Sequence, residues 1–398
     1  MASMDGTAAG WPALVRNLLY VAMALFLVTI AIGIVNGLDL YELNSDQLLT
    51  HVHAGTLGWV TLGLVAAAIW LFRSGDGRLV LALAALIPVY VAAFYSGNLP
   101  ARAVTGTALL VAIVWLVAWA WGAYRGARSL PGLAVTLGLL TFGYGSIIGV
   151  LLQVQMASGT KVFPEGADII GAHASTMTFS YLILVAMGVV EWRVKHTTGQ
   201  PILGVVQYLA LFGGGALLAA TLLFLPDQVQ SIGGVYLLLE LIAIVLFAFR
   251  ILPAAVRTNW MAASGARHLA AASIFVVVAM AIYMYLVASF LADPSQPIEN
   301  FFPILVASDH ATFVGVITNL VLVVGLALTG DRGEDTGMAG QVGFWLMNVG
   351  LIVFAIGLAA EIPEIKRIGA PGMGIGILIE LAVVTMRLRA TDLSAAEA

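Results

Sequence analysis

The sequence predicts an all-α integral membrane protein with about twelve transmembrane helices, arranged as a pseudo-threefold bundle of three four-helix units. Composition is the first observation: 61% of the 398 residues are apolar and 10% are charged, against roughly 25% charge in an ordinary soluble domain, and the mean hydropathy is +1.02. The second is that nearly the whole chain divides into apolar runs of the roughly 20 residues needed to cross a hydrocarbon core. The third is a short histidine motif that recurs on the second, sixth and tenth of those runs. Little hydrophilic sequence is left for a soluble domain. Residues 1–398 therefore read as one polytopic membrane domain, with repeats over 12–125, 132–252 and 266–389.

Glycine, proline and charge punctuate the runs. The first, 12–37, follows a start that lacks the basic, apolar and cleavage segments of a signal peptide in order, so it is expected to be a retained helix. The second, 49–72, ends at Arg73-Ser74-Gly75, and 78–98 and 103–124 are separated by Asn98-Leu99-Pro100. The next four are 132–157, 169–191, 201–225 and 230–249, divided by Gly159, Arg193 and Pro226. The last four are 268–291, 302–329, 341–360 and 370–387, divided by Pro294, Gly330 and Glu361.

An even number of crossings puts both termini on one side, and the basic residues choose which. Arg16, Arg73, Arg78, Arg125, Arg128, Arg193, Lys195, Arg250, Arg257, Arg267, Arg332, Arg387 and Arg389 fall on the side of the termini; Arg102, Lys161, Lys366 and Arg367 fall opposite. Thirteen against four of the 17 basic residues predicts cytoplasmic termini and a bacterial-type inner membrane. The outer loops are acidic instead. Cysteine is absent, which excludes disulfides, iron–sulfur clusters, thiolate zinc sites and haem attachment through C-x-x-C-H. No basic cluster with interleaved aromatics points to nucleic acid. The bilayer is the partner the composition implies.

Six histidines punctuate this apolar chain. His196 and His268 fall among basic residues of inner loops and read as ordinary solvated groups. His51 and His53 begin the second helix, His173 the sixth and His310 the tenth, all on helices that run from outside to inside. The four imidazoles therefore share one depth near the outer face. Two residues apart on a helix, His51 and His53 point about 200° apart and serve different neighbours. The local sequences repeat as His53-Ala54-Gly55-Thr56, His173-Ala174-Ser175-Thr176 and His310-Ala311-Thr312, at spacings of 120 and 137 residues. Such self-similarity speaks to architecture. A residue as small as Ala or Gly beside each ligand would leave room for a flat macrocycle against the helix backbone.

The run His51-Val52-His53-Ala54-Gly55-Thr56-Leu57-Gly58-Trp59-Val60 resembles the histidine-pair motif of the haem–copper oxidase superfamily's catalytic subunit, closest to its C-type cytochrome oxidase and nitric-oxide reductase branches. The resemblance implies a twelve-helix, three-arc bundle with haem near the outer face. It implies that His310 and one of His51 or His53 are axial ligands of a low-spin haem b, that His173 occupies the position of the first ligand to a binuclear metal, and that Lys366 and Arg367 hold haem propionates. It further implies oxidoreductase chemistry on nitric oxide or dioxygen, with cytochrome c or a quinol as electron donor. Here, however, the histidine pair lies on the second helix and the single ligand on the tenth, the reverse of the family's order. The seventh helix carries no histidine, and no tyrosine follows His173 by four residues. A second, non-haem metal thus lacks two ligands, and what remains is electron transfer through one or two haems, the member of the His51/His53 pair not on the first haem sharing a second haem or metal position with His173.

Other residues extend or compete with this reading. Lys366 and Arg367 are cations on the outer side, against the topology rule, and suit an anionic porphyrin edge; pairing with Glu361 and Glu364 is the simpler alternative. Gln153 and Gln155 could orient a ligand imidazole. Glu240 and Glu380 lie deep in apolar helices, where carboxyls serve proton relays, helix contacts or a midplane substrate site. The alternative function is therefore a cofactor-free twelve-helix transporter that depends on those two carboxyls, and a non-catalytic membrane scaffold is a third. Gly213-Gly214-Gly215 reads as close helix packing, and Gly369-Ala370-Pro371-Gly372-Met373-Gly374 as the start of the last helix.

Overall fold

The computed structural model describes residues 10–194, 200–293, 298–330 and 337–391. It contains twelve helices long and apolar enough to cross a membrane. They are α1 (Trp11–Gly37), α2 (Ser45–Phe72), α3 (Gly77–Tyr95), α4 (Leu99–Gly126), α5 (Leu130–Ser158), α6 (Ile169–Val194), α7 (Pro201–Phe224), α8 (Pro226–Arg250), α9 (Gly265–Ala292), α10 (Phe302–Leu328), α11 (Gly337–Ala359) and α12 (Pro363–Ala390). Among the described residues there is no strand. The most apolar window of α10 is 89% buried, and those of α2 and α5 are 72% buried, against 33% for α8 and α9. The first group forms the inside of the bundle and the second faces outward.

Short polar residues start many of these helices by accepting from their first free N–H groups. Asn44 and Gln47 form a reciprocal capping box at α2, while Asp76, Asn98, Ser129 and Asp168 cap α3, α4, α5 and α6. The capping box moves the start of α2 from the expected 49 back to Ser45. At the other end, α12 begins at Pro363 rather than 370, and Pro371 lies inside it. The expectation of a helix start at Gly369–Gly374 is therefore corrected: those glycines are a packing surface. A Cβ built on Gly350, Gly357, Gly369 or Gly376 would lie 2.2–2.4 Å from backbone atoms of the facing helix. With no side chains between them, the backbones of α11 and α12 touch.

Helices α2, α6 and α10 share an unusual feature. Just after their histidines each widens into a π-helical segment, over Ala54–Thr61, Thr176–Leu182 and Ala311–Thr318. Threonine hydroxyls follow the wider turn: Thr61 Oγ1 donates to the carbonyl of Thr56, five residues back, and Thr318 Oγ1 to that of Phe313. Segments of this kind are rare and concentrate at functional sites. They also lock the helices together, since Trp59 Nε1 donates to Thr318 Oγ1 at 2.9 Å and the Tyr181 hydroxyl donates to Thr61 Oγ1 at 3.3 Å. The hydrogen bonds thus run from α2 to α10 and from α6 to α2.

Two buried polar clusters brace the opposite end of the bundle. Arg250 on α8 pairs with Glu191 on α6 at 2.7 Å and donates to Gln207 on α7 at 2.6 Å, and the Tyr208 hydroxyl also donates to Glu191. In the second cluster His268 Nδ1 donates to Asn319 Oδ1 at 2.8 Å, Asn319 Nδ2 donates to Asn348 Oδ1 at 2.9 Å, and His268 Nε2 lies 3.7 Å from Glu380 Oε2. His268 is 1% exposed, so the expectation of a solvated loop residue is wrong. The α9 helix begins three residues before it and carries it into the bundle beside Asn319. His196 lies outside the described residues.

Candidate functional site

The four imidazoles His51, His53, His173 and His310 sit toward the N-terminal ends of α2, α6 and α10, and the backbone fixes each ring. His51 Nδ1 donates to the carbonyl of Thr29 on α1 at 2.9 Å, and His173 Nδ1 to that of Gly145 on α5 at 2.9 Å. One turn further along the supporting helix stands a glycine. A Cβ on Gly33 would come within 2.9 Å of His51 Cε1, and one on Gly149 within 2.6 Å of His173 Cε1. These two glycines are the seats of the two rings. The other pair turns to its own helix: His53 Nδ1 donates to Leu49 O and His310 Nδ1 to Val306 O, each at 2.8 Å. Each of these rings leans on a phenylalanine of the next helix but one from its unit's start, His53 on Phe94 of α3 at 3.8 Å and His310 on Phe354 of α11 at 4.8 Å between centroids.

A carbonyl oxygen only accepts, so all four contacts place the proton on Nδ1 and leave the Nε2 lone pair bare. No described hydrogen bond engages any of the four Nε2 atoms. This is the state in which imidazole binds a metal, with the backbone carbonyl as the outer partner that fixes tautomer and ring orientation. His268 is the contrast, since both of its nitrogens face side-chain partners. Protein surrounds the four rings, and each of these residues keeps part of its accessible surface. His51 lies within electrostatic reach of His310, and His53 within reach of His173.

Two imidazoles suit an iron already held by four porphyrin nitrogens better than a bare ion that needs four or more protein ligands. Among the described residues no group of three or more His, Cys, Asp or Glu is disposed to hold an ion. Of the small residues after the histidines, Ala54 and Ala311 are buried and Ala174 is exposed, and a Cβ on Gly55 would meet Thr29 Cγ2 at 3.1 Å. The smallness of Gly55 brings α1 close to α2. The expected glutamine partners are replaced by carbonyls: Gln155 Oε1 accepts from Val162 N at 2.9 Å, while Gln153 Oε1 is buried without a partner one turn outward from Gly149.

Lys366 and Arg367 lie in the first turns of α12 and converge on one carboxylate that the sequence did not single out. Lys366 Nζ is 2.8 Å from Asp39 Oδ1, and Arg367 Nε is 3.0 Å from Asp39 Oδ2. Neither pairs with Glu361 or Glu364 among the described ion pairs. The hydrogen-bonded Lys366 ammonium holds the Asp39 carboxyl below the usual carboxylate range. Asp39 follows the end of α1 in the left-handed conformation, φ 53°, only a few residues beyond the His51 seat at Gly33. Arg102 was also passed over. It is 2% exposed, pairs with Asp46, donates to Phe94 O at 2.8 Å and covers the Phe94 ring.

Glu240 and Glu380 are each 1% exposed, and each has one carboxyl oxygen without a hydrogen-bond partner. Glu240 faces Gly214 and interacts with Tyr236 and Tyr283, whereas Glu380 faces Gly343 and His268. Their surroundings have no residue in common, so they form two separate places in the bundle. No protein-family model and no curated protein matches the chain.

Proposed function

We propose that this twelve-helix membrane protein binds haem b near its outer face, with His51 and His310 as the two axial ligands, and that it transfers electrons. One observation carries this: the Nδ1 of each imidazole is tied to a backbone carbonyl, so the Nε2 of His51 on α2 and of His310 on α10 is free to coordinate, and the two residues interact. The Gly33 seat and the Phe354 ring hold the two imidazoles in orientation before anything binds, which reduces the ordering cost of ligation. The resemblance of His51–Val60 to the haem–copper oxidase motif points to the same cofactor. When bound, the iron would supply one-electron redox chemistry.

The two cations Lys366 and Arg367 share a single carboxylate, Asp39, and a propionate would bind there by displacing Asp39 from one of them. With both imidazoles engaged, a haem held by His51 and His310 would supply electron transfer rather than binding of nitric oxide or dioxygen. The charge asymmetry of the loops supports cytoplasmic termini and an inner membrane, which puts the site on the side of a cytochrome c or quinol donor.

Haem content of the purified full-length protein is the test. A pyridine haemochrome spectrum of b type, with content reduced in His310→Ala and His51→Ala and retained in His268→Ala, is expected. Protein purified from haem-replete cells with no Soret absorption, or with absorption unchanged in His310→Ala, would contradict the proposal.

A further inference from the structure

The π-helical segments give a register for comparing the three histidine-bearing helices that differs from the one in the His-Ala motif. They start at Ala54, Thr176 and Ala311, 122 and 135 residues apart, whereas the motif spacing is 120 and 137. In the structural register His51 corresponds to His173 and Ser308, while His53 corresponds to Ser175 and His310. Hydrogen bonds agree with this alignment. His51, His173 and Ser308 all donate to a carbonyl of the preceding helix, those of Thr29, Gly145 and Ala279. His53, Ser175 and His310 all donate within their own helix, to Leu49, Ala172 and Val306. The threonines that span the π turn, Thr61 and Thr318, also fall at matching positions.

Each place where two of these helices meet then combines the first kind of residue from one with the second kind from its neighbour. His51 lies within electrostatic reach of His310, and by the same operation His53 within reach of His173. The third combination would be Ser308 with Ser175, and there the seat changes as well. Four residues beyond the supporting carbonyl, where the other two places have Gly33 and Gly149, stands Tyr283. Its ring stacks on Phe179 at 3.4 Å between centroids, and its hydroxyl reaches Ser175 and Tyr236. Histidine and glycine have been exchanged for serine and tyrosine. The exchange roughly conserves volume and fills with aromatic side chain what the other two places leave to a ligand.

We propose that His53 and His173 are the axial ligands of a second haem, symmetry-related to the first, and that the third equivalent place is closed by Tyr283. The proposal rests on the reading of His51 and His310 as haem ligands and extends it to this chain's other imidazole pair. Both sites have the same donor set: one ring seated on a glycine of the preceding helix, one ring bonded to its own helix and leaning on phenylalanine, and Nε2 bare on both. Both irons would be six-coordinate, so the protein would carry two electrons in two like centres and present no open coordination position.

Haem-to-protein ratio in the purified full-length chain and its variants separates the two claims. The wild type should hold two haems per chain, and His173→Ala and His53→Ala one each. His310→Ala should also hold one, and His173→Ala with His310→Ala none; size-exclusion profiles monitor folding. Gly149→Ala reports on the second site without removing a ligand and should lower the ratio toward one. A ratio of one that falls to zero in His310→Ala but is unchanged in His173→Ala, His53→Ala and Gly149→Ala would overturn the second site and leave the first intact. One zinc per chain lost in His173→Ala, with one haem, would overturn it too. No haem in any preparation would remove the first site and this one with it.

Discussion

Adding a single methyl group at Gly33 or Gly149 should separate haem binding from folding. An alanine Cβ at Gly33 would lie 2.9 Å from His51 Cε1, and at Gly149 2.6 Å from His173 Cε1. Carbon atoms in contact settle at about 3.5 Å or more, so the His51 ring would move by about 0.6 Å and the His173 ring by about 0.9 Å. A displacement of that size directed away from the carbonyl would stretch a 2.9 Å hydrogen bond beyond the roughly 2.7–3.2 Å range of good N–H···O geometry. Losing such an outer partner of a metal-bound imidazole costs about 10–100-fold in affinity. The backbone effect runs the other way, because alanine favours a helix interior over glycine by about 1 kcal/mol. Gly33→Ala and Gly149→Ala should therefore keep their thermal stability as apoproteins while their haem affinity drops, Gly149→Ala the more severely at its own site. Hemin titration followed at the Soret band, with differential scanning fluorimetry on the apo forms, measures both quantities. Wild-type affinity in both variants would refute the idea that these glycines seat the rings.

Three further outcomes follow from the same geometry. Glu191→Gln leaves Arg250 buried beside a neutral partner, and breaking a buried pair of this kind costs about 3–5 kcal/mol; a large fall in melting temperature is expected, and Glu191→Gln combined with Arg250→Met should lose less than the sum of the single changes. The Asp39 carboxyl is lowered from 3.8 by its cationic neighbours, so its clasp to Lys366 and Arg367 stabilises the folded state above about pH 4 and weakens as pH falls through the native pKa. The melting-temperature difference between wild type and Asp39→Asn should then be constant from about pH 5 to 7 and vanish in acid, and a difference that grows on acidification would contradict this. Glu240→Gln and Glu380→Gln should leave haem content unchanged, whereas a transporter built around those carboxyls would lose uptake in proteoliposomes and would contain no haem to begin with.

The membrane architecture was legible because it depends on sums over long windows: apolar runs and breakers located all twelve helices, most within a few residues. Misplaced ends had local causes. The Asn44–Gln47 capping box extends α2 outward, and Pro371 sits within α12 because the glycines around it let the backbone of α11 approach. The outer histidines were also legible as a group, since four imidazoles at one depth in an apolar chain stand out against their surroundings. Their supports were not. Thr29 and Gly145 contribute carbonyls, which every residue has, and Gly33 and Gly149 resemble any packing glycine until the ring against them is seen. A four-residue spacing from supporting carbonyl to glycine, common to α1 and α5, was the available signal.

The register was misread for a related reason. Matching His-Ala-small motifs puts His173 opposite His53, but the π-helical turns add backbone that letters do not reveal, and hydrogen bonding pairs His173 with His51 instead. His268 was misjudged because a basic neighbourhood in sequence says nothing about which way a helix turns its side chain. At that turn the apolar bundle contains a polar patch, Asn319, Asn348 and Glu380, each on a different helix, of which only Glu380 stood out in the sequence.

Low-temperature electron paramagnetic resonance of the oxidised full-length protein tests the central claim most directly. Haem held between two neutral imidazoles gives low-spin ferric signals, and these should dominate the wild type; in His51→Ala or His310→Ala the share from this first haem should be lost or convert to high-spin iron while that of the second haem persists. High-spin iron already dominant in the wild type, or a low-spin signal undiminished per chain in both variants, would contradict the assignment of His51 and His310 as axial ligands.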